Sequence, residues 1–260
     1  MLVDVHCHLD HPRYDADRED VIARAEAAGV SIIIANGTNP KTNRAVLALA
    51  KKHKVVKASL GLYPLDALGY SDDPTLPPGP PIDVDAELAF IEKHKDVIVA
   101  LGEVGLDNHW IKKPVVLEKQ KEMFSKVIDL ALKLDKPLIV HSRSAEKDVI
   151  DMLEARGARK VLMHCFGGKK SLIERGAKLG FFFSIPPNIV RLDHFRTLVA
   201  LVPMNQLLTE TDGPYLAPVT GERNEPMNVR VSLEHIAKVK GFTVEEVERN
   251  VWLNYQRLFC

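Results

Sequence analysis

A closed (β/α)8 barrel, the TIM barrel, is the fold class this sequence predicts, on three observations. Short β-branched runs alternate with amphipathic stretches eight times along the chain, as in a parallel sheet built from strand–helix units. The 260 residues show no second composition regime and no repeat, and α/β barrels run to this length undivided. The competing doubly wound open sheet lacks the glycine-rich phosphate fingerprint that would follow its first strand. One barrel domain over 1–260 is therefore expected.

The opening run, Leu2-Val3-Asp4-Val5-His6-Cys7-His8-Leu9-Asp10, reads as a strand. Alternation sends Asp4, His6 and His8 one way and Val3, Val5 and Cys7 the other. At about 3.3 Å of rise per residue the imidazoles stand roughly 6.6 Å apart, close enough to converge on one ion beyond the strand. Residues 17–28 carry Val21, Ile22, Ala25 and Ala28 as a helical stripe, with Gly29 suited to the C-terminal cap. A buried strand follows over 31–35. Asn39-Pro40 then supplies an N-cap and a proline at the first helical position, opening a helix to about His53. The third strand is 55–60. From Gly61 to Pro81, Pro64, Pro74, Pro77, Pro78, Pro80 and Pro81 exclude regular structure, and so long a loop is functional or disordered.

A helix over 83–95 and a strand over 97–102 come next. The helix over 114–134 places Leu117, Phe124, Val127, Ile128, Ala131 and Leu134 on one face. Strands over 137–141, 160–164, 180–184 and 206–210 alternate with helices over 145–155, 171–178 and 192–202. After a loop over 211–226 come helices over 229–240 and 244–258, the last opened by the capping box Thr243-x-x-Glu246.

Hydrophobic residues make up 46% and charged ones 27%, enough apolar mass for a substantial core. Lys plus Arg balance Asp plus Glu at 35 each, so no global basic field attracts nucleic acid. Any polyanion must be held by local charge or by metal ions. No apolar run is long enough for a membrane span, and no basic-then-apolar leader opens the chain. Cys7, Cys165 and Cys260 are too few and too scattered for a disulfide framework. The cytoplasm is the expected location.

In such a barrel the chemistry sits at the C-terminal ends of the strands. His6 and His8 end the first predicted strand, Glu103 the fourth, His141 the fifth and His164 the sixth, and Glu210 and Asp212 follow the eighth. Any one of these has a bland explanation as a hydrogen-bonded histidine, an N-cap or a solvated charge. Together they share a small space, where burial unpaired is costly and coordination of metal ions satisfies them all. A catalytic zinc takes about three protein ligands, so the set suggests two divalent ions about 3.5–4 Å apart, bridged by a carboxylate and a hydroxide. Four positive charges, less two carboxylates and a hydroxide, leave a cationic centre that attracts a phosphodiester.

The motifs around these residues resemble the TatD family of metal-dependent deoxyribonucleases, within the amidohydrolase-type barrels. They are Val3-Asp4-Val5-His6-Cys7-His8-Leu9, Gly102-Glu103-Val104-Gly105-Leu106-Asp107 and Leu138-Ile139-Val140-His141-Ser142-Arg143. Met163-His164-Cys165-Phe166, Leu208 to Leu216, Arg223-Asn224-Glu225-Pro226 and Asn254 to Phe259 continue the series over essentially the whole chain. The resemblance implies that His6, His8 and Asp212 hold one metal, that His141 and His164 hold the other, and that Glu103 bridges them. Asp212 would also orient or deprotonate the attacking water. Related amidohydrolases carry a carboxylated lysine where this chain has Glu103, which argues for the nuclease branch. The family's Gly-x-His-Pro is here Gly61-Leu62-Tyr63-Pro64; Tyr63 still donates a hydrogen bond but brings no charge.

Arg143 is placed to clamp a phosphate or, equally, to pair along the rim. His109 and Trp110 lie on the same face, where Trp110 either stacks on an unpaired base or covers its own loop. Lys112, Lys113, Lys169 and Lys170 offer backbone contacts or a solvated surface. Asp4 is a second-tier orienting candidate, and Cys7 and Cys165 read as core. The leading expectation is a 3′–5′ exonuclease on single-stranded DNA, in repair or turnover. A small-molecule hydrolase of amides, lactones or phosphoesters, and a non-catalytic binding protein, are the alternatives. Four imidazoles suit Zn, Mn, Fe or Ni, whereas the resemblance implies magnesium-supported activity, so Mg2+, Mn2+ and Zn2+ all stay open.

Overall fold

A parallel barrel covers both faces of every strand, the inner by its own core and the outer by helices, so its strands are buried along their length. The computed structural model describes residues 1–71, 73 and 77–260, and in it β1 (Leu2–Cys7) is buried throughout. β2 (Val30–Asn36), β3 (Val56–Leu62), β4 (Ile98–Gly105), β5 (Leu138–His141), β6 (Val161–Met163), β7 (Phe182–Ile185) and β8 (Leu207–Thr209) follow in sequence order. Each pairs parallel with its predecessor. At the β8–β1 seam Cys7 and Gly213 form a parallel bridge, and the His8 amide donates to the Gly213 carbonyl at 2.8 Å. The eight strands thus form a nearly closed (β/α)8 barrel.

The helices are α1 (Arg18–Ala27), α2 (Pro40–Lys52), α3 (Val84–Lys93), α4 (Pro114–Leu134), α5 (Glu146–Ala155), α6 (Lys170–Lys178), α7 (Asp193–Leu201), α8 (Val229–Lys240) and α9 (Val244–Phe259). α9 packs on β1 and β8 and covers the seam. Local chemistry sets the helix starts. The Asn39 side chain accepts from the amides of Lys41 and Thr42 at the head of α2, and Thr243 and Glu246 cap α9 reciprocally. Such caps stabilise by about 1 kcal/mol each.

Two expectations change. The 61–81 stretch is not wholly irregular: β3 continues to Leu62, and Asp66–Leu68 forms a 3-10 turn. Pro74 lies outside the described residues. β4 runs on to Gly105, so Glu103 sits inside the strand rather than ending it. Gly105, at φ +137°, pairs with His141.

Candidate metal centre

Glycine lets the β3, β4 and β5 backbones approach closely enough to aim two functional side chains inward. A Cβ on Gly61 would stand 2.3 Å from the Glu103 carbonyl oxygen, and one on Gly105 would stand 2.0 Å from that of His141. Glu103 projects between two groups of imidazoles. Its Oε2 lies 3.3 Å from His8 Nε2 and 3.5 Å from His6 Nε2, and its Oε1 lies 2.9 Å from His141 Nδ1 and 3.6 Å from His164 Nε2. Asp212 Oδ1 is 3.4 Å from both His6 Nε2 and His8 Nε2, which are themselves 3.3 Å apart.

Apart from the 2.9 Å contact of Glu103 with His141, which is a charge-assisted hydrogen bond, those spacings suit a cation. Corners of a tetrahedron about 2.0–2.1 Å from its centre are about 3.3–3.4 Å apart, the separation expected between ligands of one zinc-like ion. Charge-assisted hydrogen bonds would be shorter, about 2.7–2.9 Å. The potential donor atoms fall into three overlapping groups: His6, His8 and Glu103; His6, His164 and Asp212; and Glu103, His141 and His164. The six residues singled out in the sequence are therefore brought to one mouth, and the donor set fits divalent metal.

A second tier holds the imidazoles. His8 Nδ1 meets the Asn36 carbonyl at 3.1 Å, His141 Nε2 meets Asp107 Oδ2 at 2.9 Å, and His164 Nδ1 meets Glu210 Oε2 at 2.9 Å. An acceptor behind each of these three rings holds a proton there, so that the other nitrogen is the one that would ligate an ion, whereas the buried Nδ1 of His6 has no hydrogen-bond partner among the described residues. His141 therefore faces inward through Nδ1, whereas His8 and His164 use Nε2. Glu210 is fixed in turn by Ser184 Oγ at 2.7 Å and the Cys165 amide at 2.9 Å. Sequence reading placed Glu210 at the mouth without this role and passed over Asp107, whose only signal was its place in the Gly102–Asp107 motif.

Asp212 adopts φ +54°, a left-handed conformation that aspartate tolerates, and its amide donates to the His6 carbonyl at 2.8 Å. The residue before it is clamped. The Thr211 amide donates to Asp4 Oδ1 at 2.9 Å, its hydroxyl to Asp4 Oδ2, and its carbonyl accepts from Asn224 Nδ2 at 2.7 Å. Asp4 thus braces the Asp212 loop; burial, opposed by the Thr211 hydrogen bonds, raises its carboxyl to about 8.

The electrostatics of the centre's own groups follow from carboxylates facing imidazoles. Burial opposes charge on Glu103, but hydrogen bonds from His141, His6 and His8 prevail and hold it well below the usual range. Asp212 is likewise held down against burial by His6 and His8. Burial lowers His6 and His141, yet their carboxylate partners raise them to about 9 and about 10. A bound divalent cation would supply that positive charge in place of protons.

The other candidates separate. Tyr63 is buried, with its hydroxyl 3.5 Å from Asp107 Oδ2 and its ring edge-on to His141 at 5.0 Å. It therefore lies behind His141. Arg143 Cζ sits 5.1 Å from the Trp110 ring centroid, and His109 is edge-on to the same indole at 5.0 Å. No carboxylate among the described residues is within ion-pair reach of Arg143. Lys112, Lys113, Lys169 and Lys170 are exposed. Cys7 is buried, and Cys165, at φ +40°, is half-buried and packs against the core.

A barrel with such a centre at its C-terminal mouth belongs with the metal-dependent hydrolases. The model of the family described as TatD related DNase matches residues 3–260. Human "Deoxyribonuclease TATDN3" is 38% identical over 99% of this chain and 94% of its own. "Uncharacterized metal-dependent hydrolase YabD" of Bacillus subtilis is 34% identical over 100% of this chain and 99% of its own. The crystal structure of YJJV, a TatD homolog from Escherichia coli K12, superimposes with a TM-score of 0.85 at 28% identity, covering 99% and 97% of the two chains. The chain belongs to the TatD family and is a hydrolytic enzyme.

Proposed function

We propose that residues 1–260 act as one hydrolase domain that cleaves phosphodiester bonds of DNA at a centre of two divalent ions, Mg2+, Mn2+ or Zn2+. The observation that carries this reading is Glu103, whose two oxygens face separate pairs of imidazoles as a bridging carboxylate would. His6, His8 and Asp212 would hold one ion, and His141 and His164 the other. When bound, the ions would polarise the phosphoryl oxygens and lower the pKa of the attacking water.

The protein's own groups divide the remaining work by exposure. The Glu103 side chain is 5% exposed and that of Asp212 16%, so Asp212 is the carboxylate that entering water meets. Being ionised, it orients that water and accepts its proton. The relatives named as deoxyribonucleases support DNA as substrate. We assign the direction of attack as 3′ to 5′ on single strands, with a role in DNA repair or turnover. Among the described residues no helix is long and apolar enough to cross a membrane, and the three cysteines are free, which accords with a cytoplasmic location.

The purified protein should release nucleotides from single-stranded DNA when Mg2+ or Mn2+ is supplied and stop when a chelator is added. Cleavage that persists in chelator, or none with any divalent ion, would remove this reading.

A further inference from the structure

Trp110 is 49% exposed in the loop between β4 and α4, whereas Trp252, the other tryptophan, packs on Tyr255 within α9. The exposed indole is nonetheless anchored. Asp107 Oδ1 accepts from the amides of His109 at 2.8 Å and Trp110 at 3.3 Å, while Asp107 Oδ2 meets His141 Nε2 at 2.9 Å. One carboxylate therefore fixes both a candidate metal ligand and the backbone under the indole. The Asn108 amide donates to the Arg143 carbonyl at 3.0 Å and ties this loop to the end of β5. Arg143, exposed and without a carboxylate partner among the described residues, has its guanidinium 5.1 Å from the indole centroid.

A second cation–aromatic pair, Arg13 and Tyr215, lies on the His8 side, with the rings of His8 and Tyr215 6.3 Å apart. It is differently employed. The Tyr215 hydroxyl donates to Asp73 at 2.6 Å and sits 3.1 Å from His11 Nε2, which locks the ring in place. Trp110 keeps half its surface open beside a guanidinium that has no carboxylate partner among the described residues, and beside the exposed Lys112 and Lys113.

We propose that Trp110 and Arg143 form a stacking subsite for an unpaired nucleobase adjoining the bond to be cut, an inference that rests on the nuclease reading above. The indole takes the base's face, and the guanidinium meets the neighbouring phosphate, the combination by which single-strand sites hold nucleic acid without reading base edges. Bases inside a duplex keep their faces stacked on one another, so the subsite selects single strands and tolerates any sequence.

In the Trp252→Phe variant Trp110 is the only tryptophan. Titration with phosphorothioate oligothymidylate, which resists hydrolysis, should quench its emission, whereas an abasic oligomer of equal length should not. With Mn2+ and cleavable substrates, the wild type should show a KM for oligothymidylate about tenfold below that for the abasic oligomer. Trp110→Ala should remove most of that difference, and Trp110→Phe should keep it. Equal quenching by both oligomers, or the same KM ratio in wild type and Trp110→Ala, overturns the subsite. Wild-type protein that cleaves no phosphodiester overturns the nuclease reading instead, and the quenching experiment, which needs no turnover, still decides the subsite.

Discussion

Asp107 Oδ2 and His141 Nε2 meet at 2.9 Å, and that contact sets which nitrogen of His141 faces Glu103. A carboxylate only accepts, so Nε2 carries a proton toward Asp107; Nδ1, facing Glu103 Oε1 at 2.9 Å, donates to it in the imidazolium and would give its lone pair to a bound ion. Asp107→Asn retains a carbonyl for the His109 and Trp110 amides but puts an amide NH2, a donor, where the acceptor behind the ring stood. Metal affinity and kcat/KM should each fall about 10–100-fold with the melting temperature little changed. Metal affinity equal to wild type, measured by chelator competition, would remove Asp107 from the centre.

Glu103 is the more consequential carboxylate because both imidazole pairs depend on it. Glu103→Ala should cost about 4 kcal/mol of transition-state stabilisation, roughly a thousandfold in rate. Elemental analysis of the same variant should find fewer than the two ions per chain expected of wild type. A Glu103→Ala protein that still holds two ions would show that the bridge lies elsewhere.

What could be read from the chain reflects which forces are local. Strand–helix alternation is written in side-chain period, and barrel topology then sends every strand's C-terminal end to one mouth; His6, His8, His141, His164 and Asp212 were legible for that reason. Glu103 was found but placed at a strand end, since the strand's continuation to Gly105 goes with β3 and β5 pressing against Gly102 and Gly105, a contact that no local pattern encodes. Glu210 was legible as a polar residue near the mouth and Asp107 only as the end of a motif, and which imidazole each supports depends on cross-strand distances that no spacing along the chain encodes. Arg143 and Trp110 are 33 residues apart by number, and their stacking exists only because the loops after β4 and β5 are neighbours. Asp66–Leu68 was hidden by flanking prolines and glycines.

Chelation should be visible in stability as well as in activity. A ligand that binds only the native state adds about 2.7 kcal/mol at a hundred times its dissociation constant. At about 2–4 °C per kcal/mol for a chain of this size, removing the metal should lower the melting temperature by about 5–10 °C. Restoring Mn2+ or Zn2+ in excess of chelator should return it. An unchanged melting curve would mean that the four imidazoles and two carboxylates hold no ion in the folded protein.

The loop that carries Asp212 is also tied to the head of α1 from outside the barrel. Arg223 donates to both oxygens of Asp17 at 2.6 Å and to Glu225 at 2.9 Å, and Arg24 reaches Asp17 at 3.1 Å. Hydrogen bonds from Arg223, with a smaller share from Arg24, hold the Asp17 carboxyl well below its usual range. Since the folded protein favours the ionised form, the contribution is fully present above the unfolded value of about 3.9 and is lost as pH falls through the lower folded value. Asp17→Asn should therefore melt about 1–3 °C below wild type at pH 7, the two curves should converge as pH drops below about 4, and high salt should narrow the gap. A difference that persists undiminished at pH 3 would show that Asp17 acts through packing or hydrogen bonding rather than through its charge.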